Sequence, residues 1–204
     1  MKNTIENQVE NTKTSEYTDS LIKKQTIWWK RLLDVQAPYR WNLRRLEPGF
    51  TLDIGSGIGR NLMHLKGHGV GIDHNVQSIR IARERGLAAF TPEEFRDSEF
   101  NLPKNFDSIL LAHVAEHMTQ QEAVKLVRGY LDLLKPQGKL IMITPQEAGY
   151  KSDSTHIEFI DFSKLRTMNE QLGFKTSLQY SFPFPRFIGR FFTYNEFVSV
   201  GLKK

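Results

Sequence analysis

The run Phe50 to Arg60, FTLDIGSGIGR, constrains the fold more than any other part of this chain. Phe50, Leu52 and Ile54 supply the apolar positions of a short strand, and Asp53 closes it. Gly55, Gly57 and Gly59 let the backbone turn tightly and approach a ligand without Cβ clashes, and Ile58 to Lys66 carries the apolar positions of a following helix. Strand, glycine turn and helix N-terminus together make a nucleotide-type site. The dinucleotide fingerprint GxGxxG would need a glycine at position 60, where Arg60 stands, so the pattern is DxGxGxG. Taken alone, the segment also reads as a plain βα turn.

A second short apolar strand, Gly69 to Asp73 (GVGID), ends in an acid twenty residues after Asp53. A carboxylate there can accept two hydrogen bonds from a ribose diol, or it can cap the helix that begins near Asn75. His74 beside it either lines an adenine or faces water. With this second strand end, the DxGxGxG loop resembles the S-adenosylmethionine loop of class I methyltransferases. The resemblance implies a glycine turn that wraps the methionine end of the cofactor, with Asp53, Gly55, Ser56, Gly57, Gly59 and Asp73 in contact with it.

The 204 residues, 39% hydrophobic and 25% charged, suit one globular domain with additions. No run of eighteen or more apolar residues predicts a membrane span, and the polar first twenty residues lack a secretory signal and read as a disordered tail. The absence of cysteine excludes disulfides, thiolate metal sites and methylation of pyrimidine C5 through a cysteine adduct, and it is compatible with a cytoplasmic location. Residues 21–46 carry a net charge of +6 and 162–204 one of +5, while 47–161 carry −4. Basic flanks favour an anionic substrate, a membrane surface or a polyanion, although solvated helix faces give the same pattern.

After Phe50, short apolar runs alternate with amphipathic stretches, the signature of a parallel sheet with crossover helices. The spacing predicts strands at 50–54, 69–73, 87–90, 106–112 and 138–144, and helices near 58–66, 75–85, 120–134 and 162–172. Lys135-Pro136-Gln137-Gly138 reads as a turn. Phe174 to Phe182 and Asn195 to Leu202 then follow as two strands without a helix between them, hence an antiparallel pair. This is similar to the methyltransferase sheet. The implied architecture is α/β: a Rossmann-like seven-stranded, mostly parallel sheet with its last strand antiparallel, helices on both faces and an extra N-terminal helix. The expected division is a tail at 1–20, a helical cap at 21–46 and the S-adenosylmethionine-binding domain at 47–204.

The fourth strand and its continuation, FDSILLAHVAEHM, resemble the HVLEH segment of ubiquinone-type and related small-molecule methyltransferases. By that resemblance Ala112 and His113 flank the methionine moiety, and His113 serves as cofactor wall or general base. Glu116 and His117 occupy the family's Glu-His pair, in a catalytic role or a capping and packing one. After strand three, Glu93, Glu94 or a backbone amide can meet the adenine. Thr91 with Glu94 also spells a capping box with proline at the first helical position. Arg40 sits where the resemblance puts an arginine that reaches the cofactor carboxylate, and a surface salt bridge is its other reading. The helix before it, with Ile22, Ile27, Trp28, Trp29, Leu32 and Leu33, reads as a packed amphipathic helix. His156, in HIEFIDF, is similar to the histidine after strand five that approaches the acceptor, or is a plain loop histidine. The aromatic loop Phe182 to Phe192, with Arg186 and Arg190, is a substrate cover, a membrane-facing rim or a buried hairpin loop.

The activity implied is methyl transfer from S-adenosyl-L-methionine, leaving S-adenosyl-L-homocysteine, mainly by alignment and exclusion of water. His113, His117 and His156 are the catalytic candidates, with ordinary pKa values suited to deprotonating an oxygen acceptor. The six histidines are scattered and no carboxylate pair shows ligand spacing, so no metal is expected. Strand four carries AHVA where base-amine methylating enzymes carry NPPY or DPPY, which favours a small-molecule or lipid-linked acceptor, anionic in one reading, and O-methylation. Peripheral membrane contact fits the basic flanks. An RNA-modifying enzyme using those flanks and a non-catalytic cofactor-binding module are the alternatives.

Overall fold

The computed structural model describes residues 34–203; the expected tail and the amphipathic helix before Asp34 lie outside the described residues. Within them the chain runs α1 (Ala37–Arg45), β1 (Thr51–Ile54), α2 (Arg60–His64), β2 (Gly69–Ile72), α3 (Val76–Glu84), β3 (Ala89–Phe90) and α4 (Pro92–Arg96). It continues through β4 (Phe106–Ala112), α5 (Gln120–Arg128), β5 (Leu134–Pro145), α6 (Glu147–Lys151), α7 (Phe162–Gln171), β6 (Phe174–Phe182) and β7 (Glu196–Lys203). Short 3-10 turns fall at Ala115–His117, Leu131–Leu133 and Arg186–Arg190.

The strands form one seven-stranded sheet in the order β3-β2-β1-β4-β5-β7-β6. β1 to β5 are parallel, and β7 inserts between β5 and β6, antiparallel to both. The architecture is the one expected from the alternation of apolar runs. The central strands are apolar on both faces because helices cover both. Ile109 and Leu111 of β4 and Leu140 and Met142 of β5 enter one core, with Val124 and Val127 of α5 and Leu165 and Met168 of α7. Leu110, Ala112, Ile141 and Ile143 face the other core, with Leu43 of α1 and Val198 and Val200 of β7. This period-2 division of continuous apolar runs is what a doubly covered parallel sheet requires.

Two boundaries differ most from the sequence expectation. The helix expected over 120–134 stops at Arg128, where Gly129 caps it, and the chain tightens into the 3-10 turn before β5. Lys135-Pro136-Gln137-Gly138 is absorbed into β5 as an irregularity: Phe106 pairs with Leu134 and Ser108 with Lys139, so residues 135–138 loop out of the ladder, with Gln137 at φ +61°. The segment was expected as a turn between helix and strand, with the proline ending the helix; the helix has already ended at Arg128, and the strand begins before the proline. No helix among the described residues is long and apolar enough to cross a membrane.

Candidate active site

Strand order reverses between β1 and β4, and at such a switch point the ligand crevice of an open α/β sheet lies outside the carboxyl ends of the strands. Asp53 lies in β1 opposite Leu110 of β4. It is fully buried, and neither carboxylate oxygen meets a hydrogen-bond donor at bonding geometry. Burial pushes its carboxyl up to about 7, against the opposing pull of the Asn61 side chain and the Arg60 charge. Ser56 Oγ is likewise buried and unpartnered. Gly55 turns the loop at φ +75°, where a Cβ would stand 2.3 Å from Val114 Cγ2, so a side chain there would collide with the turn after β4.

Asp73 ties this loop to the second strand. Its Oδ2 accepts from the Gly57 amide at 2.8 Å and its Oδ1 from the Asn75 amide at 2.8 Å. The helix cap expected of Asp73 belongs to Asn75, whose side chain accepts from the Ser78 amide at 2.9 Å. His74 Nδ1 stands 3.8 Å from Asp73 Oδ1, and His74, Asn75, Val76 and Arg80 line a shallow depression beside it.

The residues after β3 form the capping box. Glu94 accepts from the Thr91 amide at 2.8 Å, and Thr91 Oγ1 accepts from the Glu94 amide at 3.2 Å. Arg83 pairs with Glu94 at 2.6 Å, and exposed Glu93 pairs with Arg96 at 3.4 Å. Glu94 is held by the capping box and by Arg83, while Glu93 stays largely exposed. Arg40 is engaged too, by Asp34 at 2.5 Å. Arg60, which the sequence reading passed over as a missing glycine, sits at the start of α2 with its charge acting on Asp53 and His64. Burial, joined by the charges of Arg60, Arg40 and Arg44, holds the His64 imidazole down at about 4.

At the end of β4, Ala112 is buried and His113 takes a left-handed conformation, φ +59°, its amide donating to Ile143 O at 2.9 Å. Its ring lies between two acids, Nε2 at 2.8 Å from Glu196 Oε1 and Nδ1 at 3.3 Å from Glu116 Oε1. Burial alone would lower its pKa, but the two carboxylates outweigh it and push it up to about 9. Glu196 begins β7 and was missed in the sequence; no local signal marks a residue that reaches β4 only by the insertion of β7 beside β5.

His117 and His156 stand together, their rings 4.8 Å apart at 62°. His117 Nδ1 faces Thr155 Oγ1 at 3.1 Å and Thr155 O at 3.3 Å, and burial lowers its pKa. His156 Nδ1 donates to Tyr150 O at 2.7 Å, and its ring stacks on Tyr150. Histidines scattered along the sequence are thus gathered with Glu116 into one cluster, against the expectation of no such grouping.

The aromatic loop is an exposed rim, not the buried hairpin of one reading. Phe187 and Phe191 are 64% and 83% exposed, and Phe184 and Tyr194 also face outward. Its base is anchored at the carboxyl end of β5: buried Gln146 donates to Ser181 Oγ at 2.7 Å and Glu196 O at 2.9 Å, and Arg186 pairs with Glu147.

Residues 52–140 match the family described as a methyltransferase domain. An uncharacterized methyltransferase of Bacillus cytotoxicus is 26% identical over 144 residues, 67% of this chain and 68% of its own length. The family match, the relative and the sheet order together support a class I S-adenosylmethionine-dependent methyltransferase. Solved methyltransferases share its fold. One from Thermotoga maritima, described as a possible histamine N-methyltransferase, superposes with a TM-score of 0.68 at 16% identity, covering 94% of this chain and 100% of that one. Magnesium protoporphyrin IX methyltransferase of Synechocystis PCC 6803 with bound S-adenosylhomocysteine gives 0.66 at 13% identity, covering 96% and 98%. The residues at the crevice of this methyltransferase fit its cofactor: the orphaned Asp53 carboxylate suits an ammonium group, and Gly55, Gly57 and Gly59 turn the backbone beside it at positive φ.

Proposed function

We propose that this methyltransferase acts on an oxygen of an apolar or lipid-linked small molecule. The observation that carries the reading is the aromatic rim. Phe184, Phe187 and Phe191 stand exposed with Arg190 beside the carboxyl end of β5, the same end at which β1 and β4 close the crevice. Exposed phenylalanines beside a crevice suit the apolar part of an acceptor, and an arginine among them suits an anionic group.

S-adenosylmethionine, when bound, supplies an electrophilic methyl on a sulfonium. Asp53 would accept from the ammonium of its methionine moiety, the Gly55–Gly59 turn and Ser56 would enclose that moiety, and Asp73, already oriented by two amides, would accept from the ribose diol. Arg60, at the start of α2, joins Arg40 as a candidate partner of the methionine carboxylate; Arg40 also forms an exposed ion pair with Asp34. Ala112 and His113 wall the crevice on the acceptor side. Glu116 and Glu196 fix the His113 ring from both sides, which makes it a rigid surface against which the acceptor is aligned. His117 and His156 stand on the same side, after β4 and β5, where the acceptor's proton has to leave.

The test is turnover of labelled S-adenosylmethionine against matched acceptors: long-chain and prenylated phenols, their unsubstituted parents, amines, and RNA. Methylation of phenolic oxygen that improves with the apolar chain supports the reading. Turnover confined to amines or to RNA overturns it.

A further inference from the structure

We propose that Glu116, His117 and His156 form a binding site for a divalent transition-metal ion of the zinc class, on the acceptor side of the crevice. One donor atom from each residue lies within 4.8 Å of the others. Ligands about 2.1 Å from an ion sit about 3.4 Å apart in a tetrahedron, so the set has to contract by at most about 1.4 Å.

Three independent features of the surroundings support this. The first is Glu116, which is 1% exposed while both its oxygens lack a hydrogen bond of good geometry. Its Oε1 stands 3.3 Å from His113 Nδ1, and its Oε2 meets no donor, so the buried carboxylate keeps one oxygen for a cation. The second is the histidine tautomers. The Nδ1 of each ring faces a backbone carbonyl, Thr155 O for His117 and Tyr150 O for His156. An Nδ1–H so occupied leaves Nε2 with its lone pair bare, the arrangement that outer partners impose on metal-binding histidines. Thr155 extends the chain of partners: its hydroxyl donates to Asp153 at 2.7 Å and so turns a lone pair toward His117 Nδ1.

The third feature is rigidity. The turn that carries Glu116 and His117 is stapled to the loop that carries His156 by two backbone bonds to Glu116 O, from Ile157 N at 2.7 Å and Glu158 N at 3.2 Å. A site spread over two loops is thereby held as one piece, and both histidines are only partly buried, which leaves an entry path. Two imidazoles and one carboxylate select zinc, cobalt or manganese over calcium and magnesium, which prefer all-oxygen sets. Three protein ligands also leave a position for an acceptor oxygen, whose proton the ion would make easier to remove. That last step rests on the methyl-transfer reading above; metal binding itself does not.

The experiment is isothermal titration of the chelator-treated full chain with Zn2+ and with Mg2+, alongside visible absorption after Co2+ addition. Expected are one Zn2+ per chain, Co2+ bands of a nitrogen and oxygen ligand set, and no competition from Mg2+. His117→Ala and His156→Ala each weaken Zn2+ at least about tenfold, and Thr155→Val, which removes the hydroxyl that links His117 to Asp153, weakens it by a similar factor. Their circular dichroism and S-adenosylhomocysteine affinity stay unchanged. Zn2+ affinity indifferent to His117→Ala and His156→Ala overturns the site. Turnover lost on chelation and regained with Zn2+ supports the link to the acceptor, and turnover indifferent to Zn2+ bound at these residues overturns that link. Loss of S-adenosylhomocysteine binding with Zn2+ binding intact would instead strike the cofactor assignment.

Discussion

Asp53 decides how the crevice answers to pH. A buried carboxyl raised from 3.8 to about 7 keeps a proton in the folded chain that the unfolded chain has already released. The folded state therefore binds more protons between those values, and stability falls as pH rises from about 4 to 7, levelling once both states are ionised. A cationic amino group bound at Asp53 needs the ionised form, so affinity for S-adenosylhomocysteine is expected to rise with pH up to about 7 and then flatten. Titration calorimetry in buffers of different ionisation enthalpy would register the released proton. In Asp53→Asn the charge-assisted bond is lost, which should weaken binding roughly 10- to 100-fold and remove the pH dependence below 7. A variant that kept the pH dependence would transfer the effect to another group. Asp53 was legible as a strand-closing acid, but its isolation from donors was not, because burial without a partner depends on what every neighbouring element brings.

The aromatic rim should behave as an element separable from the cofactor crevice. Its 3-10 turn passes so close to β5 that a Cβ on Gly189 would stand 1.7 Å from Gln146 Oε1, the same oxygen that accepts from Asn195 at 3.0 Å. Gly189→Ala should push the turn off the sheet end at a cost of about 1–3 kcal/mol. Acceptor KM is expected to rise severalfold while S-adenosylhomocysteine affinity holds; parallel calorimetry and initial-rate measurements separate the two, and equal losses in both would show one coupled unit. The alternation around this loop was readable, since Phe174 to Phe182 and Asn195 to Leu202 sit within a residue or so of β6 and β7. The exposure of Phe187 and Phe191 was not, because a phenylalanine-rich stretch has no period that tells an outer rim from a core. The same gap explains Glu94, whose capping box was visible in Thr91-Pro92-Glu93-Glu94 but whose pairing with Arg83 depends on how α3 packs beside α4.

At the scale of the whole molecule, the site depends on the order of strands more than on their sequence. The βα alternation and the acid-ended strands made β1 to β5 legible, since each crossover places neighbours locally. His113 and Glu196 are 83 residues apart and meet only because β7 inserts beside β5, so their contact is a property of the finished sheet. The last strand is also structural: Phe197, Val198 and Val200 are buried, and β7 bonds β5 on one side and β6 on the other. Deleting Glu196–Lys204 would strip β5 of its neighbour, leave β6 unpaired and expose apolar surface on both faces of the sheet. The expected result is a chain without a cooperative thermal transition or measurable S-adenosylhomocysteine binding, followed by circular dichroism and calorimetry. Val198→Asp, which buries a charge in the same strand at full length, should lower the melting temperature strongly in the same direction. If the truncated chain instead melted cooperatively and bound S-adenosylhomocysteine, β1 to β5 with their helices would be an autonomous cofactor unit, and β7 with Glu196 would be an addition that serves the acceptor side alone.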